Sequence, residues 1–270
     1  MRIAGLMLVV CVLPAQERLT FEAASVKPND SLSVRHVLLP PVGGRLSTRM
    51  APLGLLIQSA YGVQSFQISG GPDWMDSTGF DIEAKAAGNP SRSQVWLMLQ
   101  SLLEDRFHLK VHRETRMMPV YALAVAKDGP RLPKAAADCG DAAAAKGQRP
   151  PGPCGDATVS FETSTGLAVV GRQLAMAELI RVLSGILQRP VIDRTGFAGK
   201  FDIELRFVYD PEVTVGLGNP WRQSNGAGAD SSGSPTIMAA LTQQLGLRLE
   251  ATKGPVEMLV VDRAERPSAN

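Results

Sequence analysis

The chain predicts an α+β protein of two homologous modules, each a mainly antiparallel sheet covered on one face by two helices. Three observations predict it. The strand-like heptapeptide GFDIEAK, Gly79 to Lys85, returns as KFDIELR, Lys200 to Arg206. Upstream of each copy, apolar residues fall at helical spacing: Leu53, Leu56, Ile57 and Ala60 before the first, Met176, Leu179, Ile180 and Leu183 before the second. Leu179 follows Leu56 by 123 positions and Phe201 follows Phe80 by 121, so helix and strand keep nearly one separation in both halves.

Taken from the amino terminus, MRIAGLMLVVCVLPAQER sets Arg2 and the α-amine before an apolar run from Ile3 to Leu13, then Pro14-Ala15. That run is shorter than the ~20 residues a bilayer span needs and fits the core of a secretory signal peptide, residues 1–15, cleaved near Ala15. The rival readings are a buried first strand and lipidation at Cys11, although Val10 stands where lipidation favours a small residue.

The first module, residues 16–126, opens with a strand in TFEAASVKPND from Thr20. Its first helix ends at Tyr61 with Gly62 as C-cap. ISGGPDWMD places Trp74 just after a Gly-Gly-Pro turn. In GFDIEAK, Phe80 and Ile82 alternate with Asp81 and Glu83, which puts the apolar pair on the core and the acids on the solvent side. Ser91 and Gln94 form a capping box for a second helix carrying Val95, Met98, Leu99 and Leu102. An alternating strand over Phe107–Val111, a short polar turn and the strand PVYALAV from Pro119 complete the module.

Residues 127–157 read as a connector rich in Ala, Pro and Gly that carries two CGD triplets, at Cys139 and Cys154. With Cys11 removed by export these two thiols remain, and an oxidising compartment favours a disulfide. A bridge closing a loop of about 15 residues removes roughly 3 kcal/mol of chain entropy from the unfolded state. Metal binding is the alternative, but two cysteines without a nearby His make half a site.

The second module, residues 158–267, starts with the strand VSFETS from Val159. Between its KFDIELR strand and its second helix lies an extra segment, 209–233, whose Gly, Ser, Asn and Ala content predicts a mobile loop around Trp221. Ser234 before Pro235 predicts the start of a helix bearing Ile237, Leu241 and Leu245. Leu245, Leu247 and Leu249 alternate into a strand, and PVEMLVV from Pro255 answers PVYALAV at an offset of 136.

Composition narrows the function classes. The 28 Lys and Arg residues are scattered among 26 Asp and Glu, the net charge is +2, and only 5% of residues are aromatic. A nucleic-acid surface needs a basic stripe with stacking partners, so nucleic acid is not expected as a partner. No GxSxG elbow, SxxK, Walker loop or GxGxxG after a strand is present, and no cofactor is expected. His108-Leu-Lys-Val-His112 sets two imidazoles on one strand face with Lys110 between them, which reads as a solvated polar face rather than a metal site. The binding candidates are the aromatics Tyr61, Trp74 and Trp221, because Trp and Tyr are enriched at binding hot spots; the alternative is that Tyr61 and Trp74 close the core and that Trp221 folds onto its own domain.

FEAASVKPN, AYGV from Ala60, ISGGPDW, FDIEAKA, LLEDRF from Leu102, HRETR from His112, PVYALAV, DRTG from Asp193 and TKGPVEMLVVD from Thr252 resemble a soil-associated acidobacterial family of secreted proteins of unknown function. The likeness runs from about Phe21 to Pro267. It implies an exported bacterial protein, and members fused behind antibiotic-sensor membrane metallopeptidases imply a sensing or interaction role. This chain has no HExxH and no apolar stretch of spanning length, so the resemblance implies a free form of that role. The second half, from Ala177 to Phe207, also resembles the short N-terminal module of secretins and TonB-dependent transducers, which binds other proteins.

The reading is therefore an exported binding or interaction module, periplasmic or secreted, without a transmembrane anchor after signal cleavage, whose partner is an envelope protein or ligand. The alternative is an extracytoplasmic hydrolase acting on cell-envelope material.

Overall fold

The computed structural model describes residues 18–29, 37–38, 43–135, 154–161, 166–208 and 235–267. The signal-peptide segment, Cys139, Trp221 and the 209–233 loop lie outside the described residues. The element order is β1 (Ala23–Asn29), β2 (Val37–Leu38), β3 (Arg45–Pro52), α1 (Leu53–Tyr61), β4 (Ile68–Gly70), β5 (Gly79–Lys85), α2 (Arg92–Phe107), β6 (Lys110–Val125), β7 (Ala157–Phe161), β8 (Gly166–Ala175), α3 (Met176–Leu187), β9 (Val191–Asp193), β10 (Lys200–Val208), α4 (Ile237–Ala240) and β11 (Leu247–Arg263). This is the expected α+β class, dominated by antiparallel pairing.

The described residues form two compact units. One is built from the residues up to Val63, from Gly70–His112 and from Val261 onward; the other from Gln64–Ser69 and Arg113–Val260. The first unit holds the sheet β1-β5-β3-β2, with α1 packed on α2 and β3. Phe80, Ile82, Leu53, Leu56, Ile57, Leu99, Leu103 and Phe107 are all buried, as their periodicities require. Each such side chain contributes about 1.5–3 kcal/mol by leaving water. Phe80 stands edge-on to Phe107 at 4.9 Å and to Trp74 at 6.0 Å, so the first GFDIEAK strand anchors an aromatic cluster.

The second unit holds the sheet β10-β8-β7 and a core in which Leu179, Leu183 and Ile186 of α3 meet Leu205 and Phe207 of β10 and Leu241 and Leu245. A third sheet has the order β4-β11-β6-β9, in which β9 runs parallel to β6 through Tyr121 opposite Val191 and Leu123 opposite Asp193. The outer edge of β10 is partly occupied by a bridge from Lys134 to Phe201, at the place that β1 takes beside β5.

The acids of the repeated strand do not simply face water. The β3–β5 register shifts between Thr48 and Ala51, and Met50 sits at φ 50°. Its N–H donates to the Asp81 carboxylate at 2.9 Å, and Asn29 donates to both Asp81 oxygens at 3.0 Å. The β10–β8 register shifts in the same way, with Gln173 at φ 51° donating its N–H to Asp202 at 2.9 Å. A bulge leaves one backbone N–H outside the ladder, and in both strands an aspartate accepts it.

Some local expectations differ from the structure. Phe107–Val111 is not a strand: Phe107 ends α2, His108 takes the left-handed conformation at φ 48°, and β6 begins at Lys110. The same holds for Leu245, which ends a π-helical turn (Leu241–Leu245) before Gly246 at φ 64°. HRETR is not a turn, because β6 runs unbroken through it and pairs with β11. Paired strands satisfy their backbone groups on both sides, so a polar run costs nothing there. Finally, α4 has Thr236 as its N-cap, the hydroxyl accepting from the Ala239 N–H at 3.4 Å, while Ser234 lies outside the described residues. The capping box of Ser91 with Gln94 and the Gly62 C-cap are present as read.

Candidate functional site

Segments far apart in the sequence of the first unit line an open cleft of about 800 Å³. The last turn of α2 supplies Glu104 and Asp105, the residues after it supply His108 and Lys110, and the end of β11 supplies Asp262 and Arg263. Arg18, Tyr61 and Glu265 complete the polar lining. Its size lies in the range of small-molecule sites.

Nearly every charge in the cleft is answered by another. Arg18 donates to Asp105 and Glu104, each at 2.7 Å, and to the Ser101 carbonyl at 3.1 Å. The Asp105 bond is the main reason the Arg18 guanidinium is held above its ordinary range. Arg263 Nε donates to Glu265 at 2.8 Å, and this bond, opposed by desolvation, holds the Glu265 carboxyl below the usual carboxylate range. His108 Nε2 lies 3.9 Å from the other Glu265 oxygen. His112 Nδ1 lies 2.9 and 3.0 Å from the two oxygens of Asp262. An ionised carboxylate only accepts, so Nδ1–H is the donor and Nε2 is the ring atom left for other chemistry. All four cleft carboxylates are thus engaged, whereas Lys110 joins no ion pair among the described residues.

Of the aromatics singled out by sequence, Tyr61 lines this cleft, half-buried at the end of α1. Trp74 is half-buried against Phe80, with the Arg266 guanidinium 5.6 Å above its ring. The structure does not bring it to the cleft lining, and Trp221 lies outside the described residues. Cys154 forms a β-bridge with Arg172, while Cys139 lies outside the described residues. Among the described residues, no group of three or more His, Cys, Asp or Glu is arranged to hold a metal ion. No helix among them is long and apolar enough to cross a membrane.

Sequence reasoning missed Arg18, Asp262 and Glu265. His112 and Asp262 are 150 positions apart and meet only because β6 pairs with β11, so no local pattern announces the contact. The usable signal is the likeness of PVYALAV to PVEMLVV, which marks both strands as long and equivalent.

No curated protein and no solved structure matches the chain. A family described as "Protein of unknown function (DUF3738)" matches residues 54–264, a span that takes in both FDIE strands, α1 to α4 and most of the cleft. The chain belongs to this family.

Proposed function

We propose that the protein is an exported binding module that captures an anionic ligand, or an anionic group on an envelope protein, in the cleft beside Tyr61. One observation carries this reading: the cleft's carboxylates are hydrogen-bonded by Arg18, His112 and Arg263, so the charged side chain without an ion-pair partner among the described residues is Lys110. Tyr61 adds an aromatic surface with a polar tip, the kind of side chain on which binding energy concentrates.

Export through a signal peptide at residues 1–15, a Cys139–Cys154 disulfide and an origin in the secreted acidobacterial proteins belong to the same proposal. The likeness of the second half to secretin and transducer modules also favours a protein-binding role. The bridge from Cys154 to Arg172 supports the disulfide, because it fixes one end of the connector against β8. Two thiols titrating without reduction in the exported protein would reject it.

A second reading, an envelope hydrolase, is favoured by His112 and Asp262, since a carboxylate that fixes an imidazole leaves Nε2 placed as a general base. The two readings separate in one experiment. The full chain is incubated with envelope extract, and both retained partners and released fragments are measured for wild type, Lys110→Glu and His112→Ala. The binding reading expects a retained partner lost in Lys110→Glu and no fragments. Fragment release abolished by His112→Ala overturns it in favour of the enzyme.

A further inference from the structure

We propose that the second unit carries a separate site for a small apolar carboxylate, a single carboxylate on a hydrocarbon body, gripped by Arg189. The site is a cleft of about 410 Å³ at the C-terminal end of α3, lined by Phe66, Met118, Pro119, Leu187 and Pro190 around Arg189 and Tyr121. Of the eight lining side chains five are apolar, and the polar ones are Gln188, Tyr121 and Arg189. Gln188 is already engaged, accepting from Ser65 at 2.8 Å and donating to the Gly185 carbonyl at 2.8 Å.

Arg189 is the unanswered group. Its guanidinium lies over the Tyr121 ring at 4.3 Å, an arrangement that fixes the plane of the fork. Its Nε is buried without a hydrogen-bond partner, and no acid forms an ion pair with it among the described residues. A buried N–H of a cation left without an acceptor is costly, and a ligand entering the cleft is one way to supply that acceptor. A carboxylate approaching in the guanidinium plane takes two parallel N–H bonds. The apolar walls, continuous with the packed Val120, Val256 and Met258, then bury a hydrocarbon body. Inorganic anions gain nothing from those walls, and uncharged lipids gain nothing from the fork, so the ligand class is an apolar acid.

The test is calorimetric titration of the full chain with decanoate, with acetate, decanol and the peptide N-acetyl-Ala-Leu as comparators. Decanoate should bind and raise the melting temperature, while acetate and decanol should not bind. Arg189→Ala should weaken decanoate binding about 10- to 100-fold, the loss expected for hydrogen bonds to a charged group. Arg189→Lys, which keeps the charge and loses the fork, should weaken it less. Lys110→Glu, in the other unit, should leave decanoate binding unchanged, so this proposal and the cleft reading fail independently. No decanoate binding by a folded wild type, or binding that survives Arg189→Ala, overturns the site. Tighter binding of the peptide than of decanoate overturns its assignment to a small-molecule acid.

Discussion

Strands β5 and β10 hold the same carboxylate in the same place, yet the helix ends that follow them differ. Asp81 and Asp202 each accept the N–H of a left-handed residue in the neighbouring strand, three positions before a helix begins. Downstream, the left-handed position before the long strand is His108 in the first half and Gly246 in the second. Glycine adopts that conformation freely; a side chain there costs about 1 kcal/mol or more. The first half bears this cost, and the side chain it gains lines the charged cleft. The two strands thus share one bulge contact, and the halves differ at the helix end that lines the cleft.

The comparison can be broken most forcefully in the cores. Phe80→Ala should cost about 3–5 kcal/mol, because Phe80 is fully buried between Trp74 and Phe107. Phe201→Ala should cost less, since Phe201 is 8% exposed and tilted against Phe197 alone at 6.0 Å. Urea unfolding of the two variants checks the order, and a reversed order removes the aromatic cluster as the anchor of the first unit.

Next come the shared carboxylates. Asp81→Ala and Asp202→Ala should each lose about 1.5–3 kcal/mol, the value of a hydrogen bond to a charged acceptor. If one proves neutral in the same unfolding assay, the two bulges are not equivalent. The duplication itself fails if residues 44–126 superposed on 166–262 in an experimental structure do not bring Phe80 onto Phe201 and Pro119 onto Pro255.

The helix ends give a smaller, opposite pair of effects. His108→Gly should stabilise by about 1 kcal/mol through relief of the left-handed backbone, while weakening the proposed ligand. Gly246→Ala should destabilise, because a Cβ there meets the Gly129 carbonyl oxygen at 2.1 Å in addition to the backbone cost. Thermal melts read both signs.

Smallest is the pH effect at Glu265. Its folded-state pKa lies below the unfolded value, so its contribution is present above the ordinary carboxylate range and is lost as pH falls through the folded value. Glu265→Gln and wild type should therefore differ in melting temperature near neutral pH and converge as the pH falls below the folded value.

These contrasts show which parts of the molecule local sequence can reveal. The helices were legible because Leu53, Leu56, Ile57 and Ala60, or Val95, Met98, Leu99 and Leu102, face the core through a spacing fixed within a few residues. The alternation of Phe80, Ile82 and Ala84 was legible for the same reason. The role of Asp81 was not, because its partner Met50 lies 31 positions away and a bulge has no composition of its own. HRETR looked like a turn because its polar residues are tolerated only through pairing with β11, a contact outside any local window. Of the cleft, Tyr61 and the His108–His112 run were visible as residues. Their company of Arg18, Asp262 and Glu265 is set by tertiary structure alone.

The central claim is that the first-unit cleft binds rather than cleaves, and that Lys110 is the group it offers. The most direct measurement is recovery of envelope material by the immobilised full chain, compared between wild type and Lys110→Glu, with soluble fragments quantified in parallel. The account predicts material retained by wild type, lost in Lys110→Glu, and no fragments from either. Fragments released by wild type and abolished in His112→Ala, or retention indifferent to Lys110→Glu, would contradict it.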